Sequence, residues 1–165
     1  MRGEEPARTL PRETPVSDPP GADRLEPIVK LTDAPTPDEE HAIGSGLARF
    51  NEEQSGIRDS RPLAVVVHDP RTNQPVGGLT GRTSLGLLFI DLFFIPADLR
   101  RDGLGSRLLQ LAEDEARRRG CVNAVLYTIN FQAPGFYERH GYRILGSVPC
   151  LPPGTSRIFM TKPLG

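Results

Sequence analysis

Apolar residues recur along the chain in short runs that predict several β-strands. Residues 27–31 predict a first strand, and residues 63–68 and 76–83 predict two strands joined by a polar turn. Residues 85–95 form a long, nearly continuous apolar run, and its aromatic residues and the proline that follows it favour a central strand over a helix. The last strands are predicted at residues 124–129, 142–148 and 157–163.

The first helix is predicted from its start signal. Thr36 offers an N-cap hydroxyl, Pro37 occupies the first helical position, and Glu39 is an acid three residues after the cap. This combination is a capping box, which predicts a helix over residues 37–54. Its apolar face should consist of Ile43, Leu47 and Phe50.

A second helix has a clearer amphipathic pattern and should begin near Leu104 and end at Gly120, a left-handed cap. Its apolar face is predicted to hold Leu104, Leu108, Leu111, Ala112 and Ala116. Its polar face is predicted to hold Glu113, Asp114, Arg117 and Arg118. Residues 132–140 predict a third, short helix that Gly141 ends, and the order β-α-β-β-β-α-β-α-β-β is typical of a mixed α/β sheet.

The N-terminal segment differs in composition from the rest of the chain. The first 26 residues hold five prolines and ten charged residues, and no aromatic residue appears before Phe50. Such a segment buries too little apolar surface to offset the entropy of ordering it. We therefore predict a disordered tail over residues 1–25, either a dispensable extension or a docking peptide, and a single domain over residues 26–165.

Composition narrows the classes of function. The chain of 165 residues has a formal net charge of −1, which argues against a nucleic-acid surface or a polybasic membrane patch. It has no run of about 20 apolar residues and no secretory signal. Its two cysteines, Cys121 and Cys150, are too few for a disulfide framework and lack metal-ligand spacing. These features predict a soluble cytoplasmic protein that uses no metal.

A glycine-containing loop, residues 100–106, lies between the long apolar strand and the amphipathic helix. The first amides of a helix lack internal partners, and Gly103 and Gly105 would let an anion approach them closely. Arg100 and Arg101 could add charge-assisted contacts. Neither a Walker loop nor a Rossmann fingerprint fits the spacing. The loop predicts a diphosphate cradle, and the alternative is a connection that binds nothing.

A second pattern follows the next predicted strand. It reads Asn130, Ala133, Tyr137 and Gly141, and with Arg100, Gly103 and Gly105 it resembles the GNAT superfamily of acetyl-CoA-dependent N-acetyltransferases. The resemblance spans about residues 27–163. Tyr142 stands where the family usually has phenylalanine, and the link from residue 96 to residue 100 is one residue longer than in many members.

The resemblance implies a mixed, mostly antiparallel central sheet with a splayed strand pair, flanked by helices, and acetyl-CoA as the co-substrate. It implies that main-chain groups of Phe93, Phe94 and Ile95 bind the pantetheine arm and the thioester carbonyl. The diphosphate would be held by Arg100 and by the amides of Arg101, Asp102, Gly103, Leu104, Gly105 and Ser106. Asn130, Ala133 and Phe136 would line the other wall. Alternatively, the phenylalanine side chains only fill the core.

By the family's pattern, Tyr137 would protonate the departing coenzyme A thiolate. A phenol has an ordinary pKa near 10, so it is protonated at neutral pH and able to donate. The alternative is a tyrosine that serves only packing. His140, at the end of the same predicted helix, is placed to interact with the helix dipole rather than to catalyse.

Asp91 is the only carboxylate within residues 87–95, where a charge is costly unless it is paired or protonated. Strand alternation predicts that it shares a face with Phe89 and Phe93. Since family members often place an acid on this strand, Asp91 is a candidate base, acting directly or through water. The alternative is a structural acid that holds a backbone N–H or an arginine.

The resulting hypothesis is acetyl transfer from acetyl-CoA to a primary amine of a small molecule by direct attack in a ternary complex. The amine pocket is predicted between residues 50–61, the strand of Asp91 and residues 150–155. Two alternatives remain: acetylation of a protein N-terminus or lysine, and a non-catalytic acyl-CoA sensor. Dimers are common in proteins of this kind, so a homodimer is a further expectation.

Overall fold

A computed structural model describes residues 26–165, of which Pro37–Gly165 form one compact unit. The helices are α1 (Pro37–Ser55), α2 (Leu104–Arg118) and α3 (Pro134–Arg139). The strands are β1 (Arg61–His68), β2 (Pro75–Ser84), β3 (Leu87–Phe94), β4 (Asn123–Ile129), β5 (Arg143–Cys150) and β6 (Thr155–Pro163). None of the helices in the described part of the chain is long and apolar enough to cross a bilayer. The predicted tail, residues 1–25, lies outside the described residues.

The predicted strand at residues 27–31 is wrong, because the structure has no helix or strand between residues 26 and 36. Ile28, Val29 and Leu31 are between 91% and 100% exposed. A run of five residues is a strand only when a second strand pairs with it, and apolar composition alone does not supply the partner. The remaining predicted elements occur within a few residues of their expected bounds.

The strands form one sheet in the order β1-β2-β3-β4-β6-β5. All neighbours are antiparallel except β3 and β4, which run parallel and are joined through α2. A parallel pair requires such a crossover, whereas the antiparallel pairs use shorter connections. The mixed, mostly antiparallel sheet flanked by helices is therefore confirmed.

The parallel pair is short. β3 and β4 pair only where Leu87–Ile90 lie beside Asn123–Leu126. Beyond these four residue pairs β3 continues along β2, and β4 continues along β6. The two strands therefore separate after Ile90 and Leu126, which is the splayed arrangement expected from the sequence.

A β-bulge lies at the start of the separation. Thr80 pairs with Leu92 and Gly81 pairs with Ile90, so Asp91 is an extra residue in β3. At Gly81 a Cβ would overlap the Phe89 carbonyl oxygen, and only glycine allows β2 and β3 to approach this closely.

The bulge changes which side chains share a face. Phe93 pairs with Leu79, which is 1% exposed and belongs to the core on the α2 side of the sheet. Asp91 instead contacts Arg82, whose guanidinium lies over the ring of Phe89. The prediction that Asp91 and Phe93 share a face is therefore wrong, because regular alternation does not continue through the bulge.

The main core lies between α2 and the sheet. Ala112 and Ala116 of α2 belong to one buried cluster with Leu88, Ala124 and Met160, and all five are fully buried. Small residues on α2 let the helix lie close to the sheet, where the burial of apolar surface stabilises the fold.

Two assignments on α2 differ from the predicted amphipathic pattern. Leu111, which was expected in the core, is 48% exposed, and Leu109 is buried instead. Glu113 is only 1% exposed; its carboxylate lies 2.6 Å from Lys162 Nζ and 3.5 Å from an Arg117 nitrogen. These cations come from β6 and from the next helical turn, so the helix pattern alone could not identify Glu113 as a buried, paired acid.

Helix α1 has no buried residue. Its apolar residues Ile43, Leu47 and Phe50 are between 56% and 72% exposed. The helix itself was predicted correctly by its start signal, but its expected buried face is not buried in this chain.

Asp59 organises the turn that enters β3, and we predict a pH-dependent contribution to stability. Its carboxylate accepts the amides of Leu85 (2.7 Å) and Gly86 (3.0 Å). The hydrogen bond from the Leu85 amide holds the pKa of the Asp59 carboxyl below its ordinary value of 3.8. Desolvation opposes this lowering, whereas the Gly86 amide and the charge of Arg61 add to it. This stabilisation is present above the unfolded-state pKa and is lost as the pH falls through the folded-state pKa. Asp59→Asn should lower the free energy of unfolding by about 1 kcal/mol at neutral pH, discounted for partial exposure.

Urea denaturation measures this effect. The difference between wild type and Asp59→Asn should shrink as the pH falls from about 5 to about 3. Asp98→Asn, which removes an exposed carboxylate, is the matched control and should change stability little at either pH. An equal effect of Asp59→Asn at both ends of this range would contradict the role of the charged carboxylate.

Candidate active site

A cleft of about 610 Å³ lies where β3 and β4 separate, between the N-terminus of α2 and helix α3. Most of the residues predicted from the sequence line it, namely Phe93, Phe94, Ile95, Arg100, Arg101, Gly103, Leu104, Gly105, Ser106, Ala133, Phe136 and Tyr137. Three predicted residues are not among the lining residues: Asp91, Asp102 and Asn130. Thr128, Phe131 and Gln132 line it without having been predicted.

The loop before α2 presents unbonded amides. Gly103 is the N-cap of α2 with φ +73°, a left-handed conformation that favours glycine, and no side chain caps the helix. The Leu104 amide lies 3.2 Å from the Arg101 carbonyl oxygen, and the Arg107 amide makes the first helical bond to Gly103. Within residues 26–165 no acceptor is found for the amides of Arg101, Asp102, Gly103, Gly105 and Ser106. The helix dipole adds partial positive charge at the same place.

The two arginines of the loop differ in their contacts. Arg100 Nε donates to the Ile95 carbonyl oxygen at 2.8 Å, so this side chain holds the connection between β3 and α2. Arg101 is exposed and lines the cleft. Because the Ile95 carbonyl oxygen already accepts a hydrogen bond from Arg100, it is less available to a ligand than the resemblance implied.

Phe136 forms the wall opposite the loop. Its ring packs edge-on against Phe93, with centroids 6.0 Å apart. A Cβ built on Gly105 would lie 3.4 Å from the Phe136 ring, in van der Waals contact, so α2 and α3 lie close together at this point. Phe93 and Phe136 therefore pack against the core, as one reading of the sequence held, whereas Phe94 is 58% exposed; β3 still presents a free main-chain edge.

Tyr137 lies on the buried side of α3 and is 7% exposed. Its ring packs against Phe136 (5.2 Å) and Tyr142 (5.7 Å), which fixes its direction. Burial raises the pKa of the Tyr137 phenol to about 12, because the charged phenolate is poorly solvated there. The phenol therefore stays protonated well above neutral pH and can act as a proton donor in the cleft.

Asp91 lies at the bulge, on the face of β3 away from the core. Both of its carboxylate oxygens accept from Arg82 Nη1, at 2.7 and 2.8 Å. The two side chains are about half exposed, 47% for Asp91 and 49% for Arg82. The structure thus contains the arginine partner that one alternative required, at the point where β3 and β4 separate.

Asn130 and Gln132 follow β4, and their side chains form hydrogen bonds to main-chain groups. Asn130 Nδ2 donates to the Gly154 carbonyl oxygen (3.0 Å) and its Oδ1 accepts from the Ser156 amide (3.3 Å). Gln132 Oε1 accepts from the Ile129 amide (3.0 Å). Asn130 therefore holds the β5–β6 turn. Gln132 was the harder residue to identify, since its only signal is a side-chain amide three residues after the end of a strand.

A second cleft, of about 760 Å³, lies between α1 and the opposite face of β2 and β3. Arg82 and Phe89 form its floor, and Asn51, Glu52 and Asp59 lie on its walls. The predicted amine pocket included residues 50–61 and the strand of Asp91, and residues from both line this cleft. It also included residues 150–155, which do not line it.

Comparisons with known proteins agree with this geometry. The chain matches the Acetyltransferase (GNAT) family over residues 26–142. It is 36% identical over 132 residues to an acetyltransferase of Agrobacterium fabrum, which covers 80% of this chain and 96% of that protein. It is 40% identical over 111 residues to the blasticidin-S acetyltransferase of Streptomyces morookaense, covering 66% of this chain and 82% of that protein.

Among solved structures, an acetyltransferase from Bacillus cereus superposes with a TM-score of 0.65. It is 31% identical, and the match covers 81% of this chain and 97% of the other. The sheet with its separated strands, the loop of free amides and these relatives lead to one assignment: the chain belongs to the GNAT family and is an acetyltransferase.

Proposed function

We propose that this acetyltransferase takes the acetyl group from acetyl-CoA and transfers it to a primary amine of a small molecule, by direct attack in a ternary complex. The observation that carries the proposal is that the unbonded amides before α2 and the buried phenol of Tyr137 line one cleft. The diphosphate of coenzyme A is an anion that needs donors of this kind, and its thiolate leaving group needs a proton donor.

The diphosphate would bind at the N-terminus of α2. The amides of Gly105 and Ser106 have no other acceptor, and the helix dipole favours an anion in front of them. Arg101 adds a positive charge on the same side of the cleft. A Cβ at Gly103 would meet nothing, so the loop is open to a ligand.

The thioester would lie along the free edge of β3. Past Ile90 this edge has no strand partner, so its N–H and C=O groups can bind the amides of the pantetheine arm and the thioester carbonyl oxygen. The amine loses a proton to Asp91, directly or through water, and attacks the carbonyl carbon. As the carbon–sulfur bond breaks, Tyr137 gives its proton to the sulfur and is reprotonated from solvent.

The acceptor would approach from the face of β3 that carries Asp91 and Arg82. A relative that is a blasticidin-S acetyltransferase supports a small-molecule acceptor. Glu52 and Asp59 line the second cleft, but so do Arg49, Arg58 and Arg82, and Glu52 is paired with Arg58 (3.7 Å). The small-molecule acceptor class therefore rests on the relative and not on the charge of the cleft.

The direct test is a panel of amines with acetyl-CoA and a thiol-release readout. The panel contains aminonucleosides, aminoglycosides, polyamines and amino acids, with peptides bearing a free N-terminus or lysine as the comparison set. We expect turnover with at least one small amine. Turnover with peptides alone would show that the acceptor is a peptide and not a small molecule. Binding of the coenzyme without turnover of any amine would overturn the proposed acetyl transfer.

Gly105→Leu should weaken coenzyme A binding by about tenfold or more, because the added carbons must displace Phe136 or enter the cleft. Calorimetric titration measures this affinity. Gly46→Leu, on α1 where a Cβ meets nothing, is the matched control and should bind as wild type does. Unchanged affinity in a folded Gly105→Leu variant would place the diphosphate elsewhere.

Tyr137→Phe should lower kcat by about 10- to 1000-fold while the affinity for acetyl-CoA stays within about twofold. The phenyl ring keeps the packing against Phe136, so only the proton donor is lost. Tyr142→Phe removes a neighbouring buried phenol that does not line the cleft and serves as the control. Normal turnover of Tyr137→Phe would remove this residue from the mechanism.

Asp91→Asn should abolish the acidic limb of the kcat/KM profile and lower its plateau by about 100-fold, since a general base must be ionised to accept the proton. Asp114→Asn is a matched control, because Asp114 is also about half exposed (53%) and paired with an arginine, Arg117. If the acidic limb persists in Asp91→Asn, the acid serves only to hold Arg82.

A further inference from the structure

His140 connects α3 to the first turn of α2. The residue caps the C-terminus of α3 and is half-buried. Its Nδ1 lies 2.7 Å from the Phe136 carbonyl oxygen, and its Nε2 lies 2.8 Å from Ser106 Oγ. Its ring also packs against the Phe136 ring, with centroids 4.4 Å apart, so the imidazole is held in one orientation.

These two contacts fix where the hydrogens lie. A carbonyl oxygen only accepts hydrogen bonds, so Nδ1 carries its hydrogen whether the ring is neutral or charged. In the neutral ring Nε2 has no hydrogen, and the Ser106 hydroxyl must donate to it. In the charged ring Nε2 donates instead, and Ser106 Oγ becomes the acceptor.

The direction of this bond changes what Ser106 offers to the cleft. When the ring is neutral, the only hydroxyl hydrogen of Ser106 points at His140, and lone pairs are all that remain for a ligand. When the ring is charged, that hydrogen is free to point toward an anion at the α2 N-terminus. The unbonded Ser106 amide then has a second donor beside it, and the imidazolium adds a positive charge behind it.

We propose that His140 is a positioning residue that sets the direction of the Ser106 hydroxyl, so that binding of the coenzyme diphosphate is coupled to uptake of a proton by His140. The proton comes from solvent and returns to it when the coenzyme leaves. This inference rests on the proposed binding of coenzyme A in the cleft, and it adds a role for a residue that does not itself line it.

No other polar group competes for the ring. Within the described residues, its two nitrogens bond only to the Phe136 carbonyl and to Ser106. Lys162 of β6 passes beside Gly141, but its ammonium is paired with Glu113 at 2.6 Å. The other charged groups on the adjoining segments are exposed, namely Arg100, Arg101, Asp102, Arg107, Glu138 and Arg139. The hydroxyl of Ser106 is therefore the group whose hydrogen bond responds to the charge of His140.

The experiment uses dephospho-coenzyme A, which keeps the diphosphate but lacks the 3′-phosphate. A phosphate monoester titrates near pH 6 and would mask a histidine, whereas the diphosphate carries no group that titrates in this range. Calorimetric titrations in two buffers of different ionisation enthalpy give the number of protons taken up on binding. They are run from about pH 6 to about pH 8, where histidine side chains titrate.

Wild type should take up about half a proton near pH 7, and its affinity should fall about fivefold between pH 6 and pH 8. His140→Gln should bind without proton uptake, with an affinity that changes less than about twofold over this range. Ser106→Ala keeps only the charge of the ring and should take up clearly fewer protons than wild type does. His68→Gln is the matched control, since His68 Nδ1 also lies near a backbone carbonyl (Asn73, 3.0 Å) but His68 does not line the cleft. It should behave as wild type does.

The results distinguish a failure of the His140 proposal from a failure of the proposed function. Binding by wild type without proton uptake, or unchanged uptake in Ser106→Ala, overturns the role of His140 and leaves the proposed function intact. Ser106→Ala keeps the test available if His140→Gln does not fold. If folded wild type binds neither coenzyme A nor dephospho-coenzyme A, the proposed function fails and this inference fails with it.

Discussion

The separation of β3 from β4 after Ile90 and Leu126 is the constraint on which the site depends. Inside a sheet each strand satisfies its main-chain groups on both edges, but beyond these residues β3 has a strand partner only on the β2 side. The rings of Phe93, Phe136 and Tyr137 pack edge to face on the core side of the opening. These rings fill the space into which the strands would otherwise close, so the open edge of β3 is supported by core packing.

The bulge at Asp91 changes which residues of β3 lie on each face of the sheet. Before it, Ile90 points into the core; after it, Phe93 does so although it lies three residues further on. The extra residue leaves Asp91 on the outer face with Arg82, while the free amides and Tyr137 lie on the inner side. In the proposed reaction, one strand would meet the acyl donor along its edge and the acceptor from the other face, and Gly81 makes the bulge sterically possible.

Local features of the fold and the site could be predicted from the sequence. The sequence located the loop around Gly103 and Gly105 because glycines at a helix start leave main-chain amides accessible, and the family pattern located Tyr137; both line the cleft. Features that depend on distant residues could not be found. Asn130 holds a turn some 24 residues later in the chain, Glu113 is buried because Lys162 reaches it from β6, and Asp91 changes face because of a bulge. Periodicity describes a regular element and contains no information on its partners or its irregularities.

The close approach of α2 to α3 has an evolutionary consequence. The hydrogen atom that serves as the side chain of Gly105 faces the ring of Phe136, which also contacts Phe93 and His140. A residue larger than alanine at position 105 must either enter the cleft or be matched by a smaller residue at position 136, and a smaller residue at 136 would loosen its two other neighbours. Among descendants of this chain, the two positions should therefore change together, and drift at either one alone should be rare.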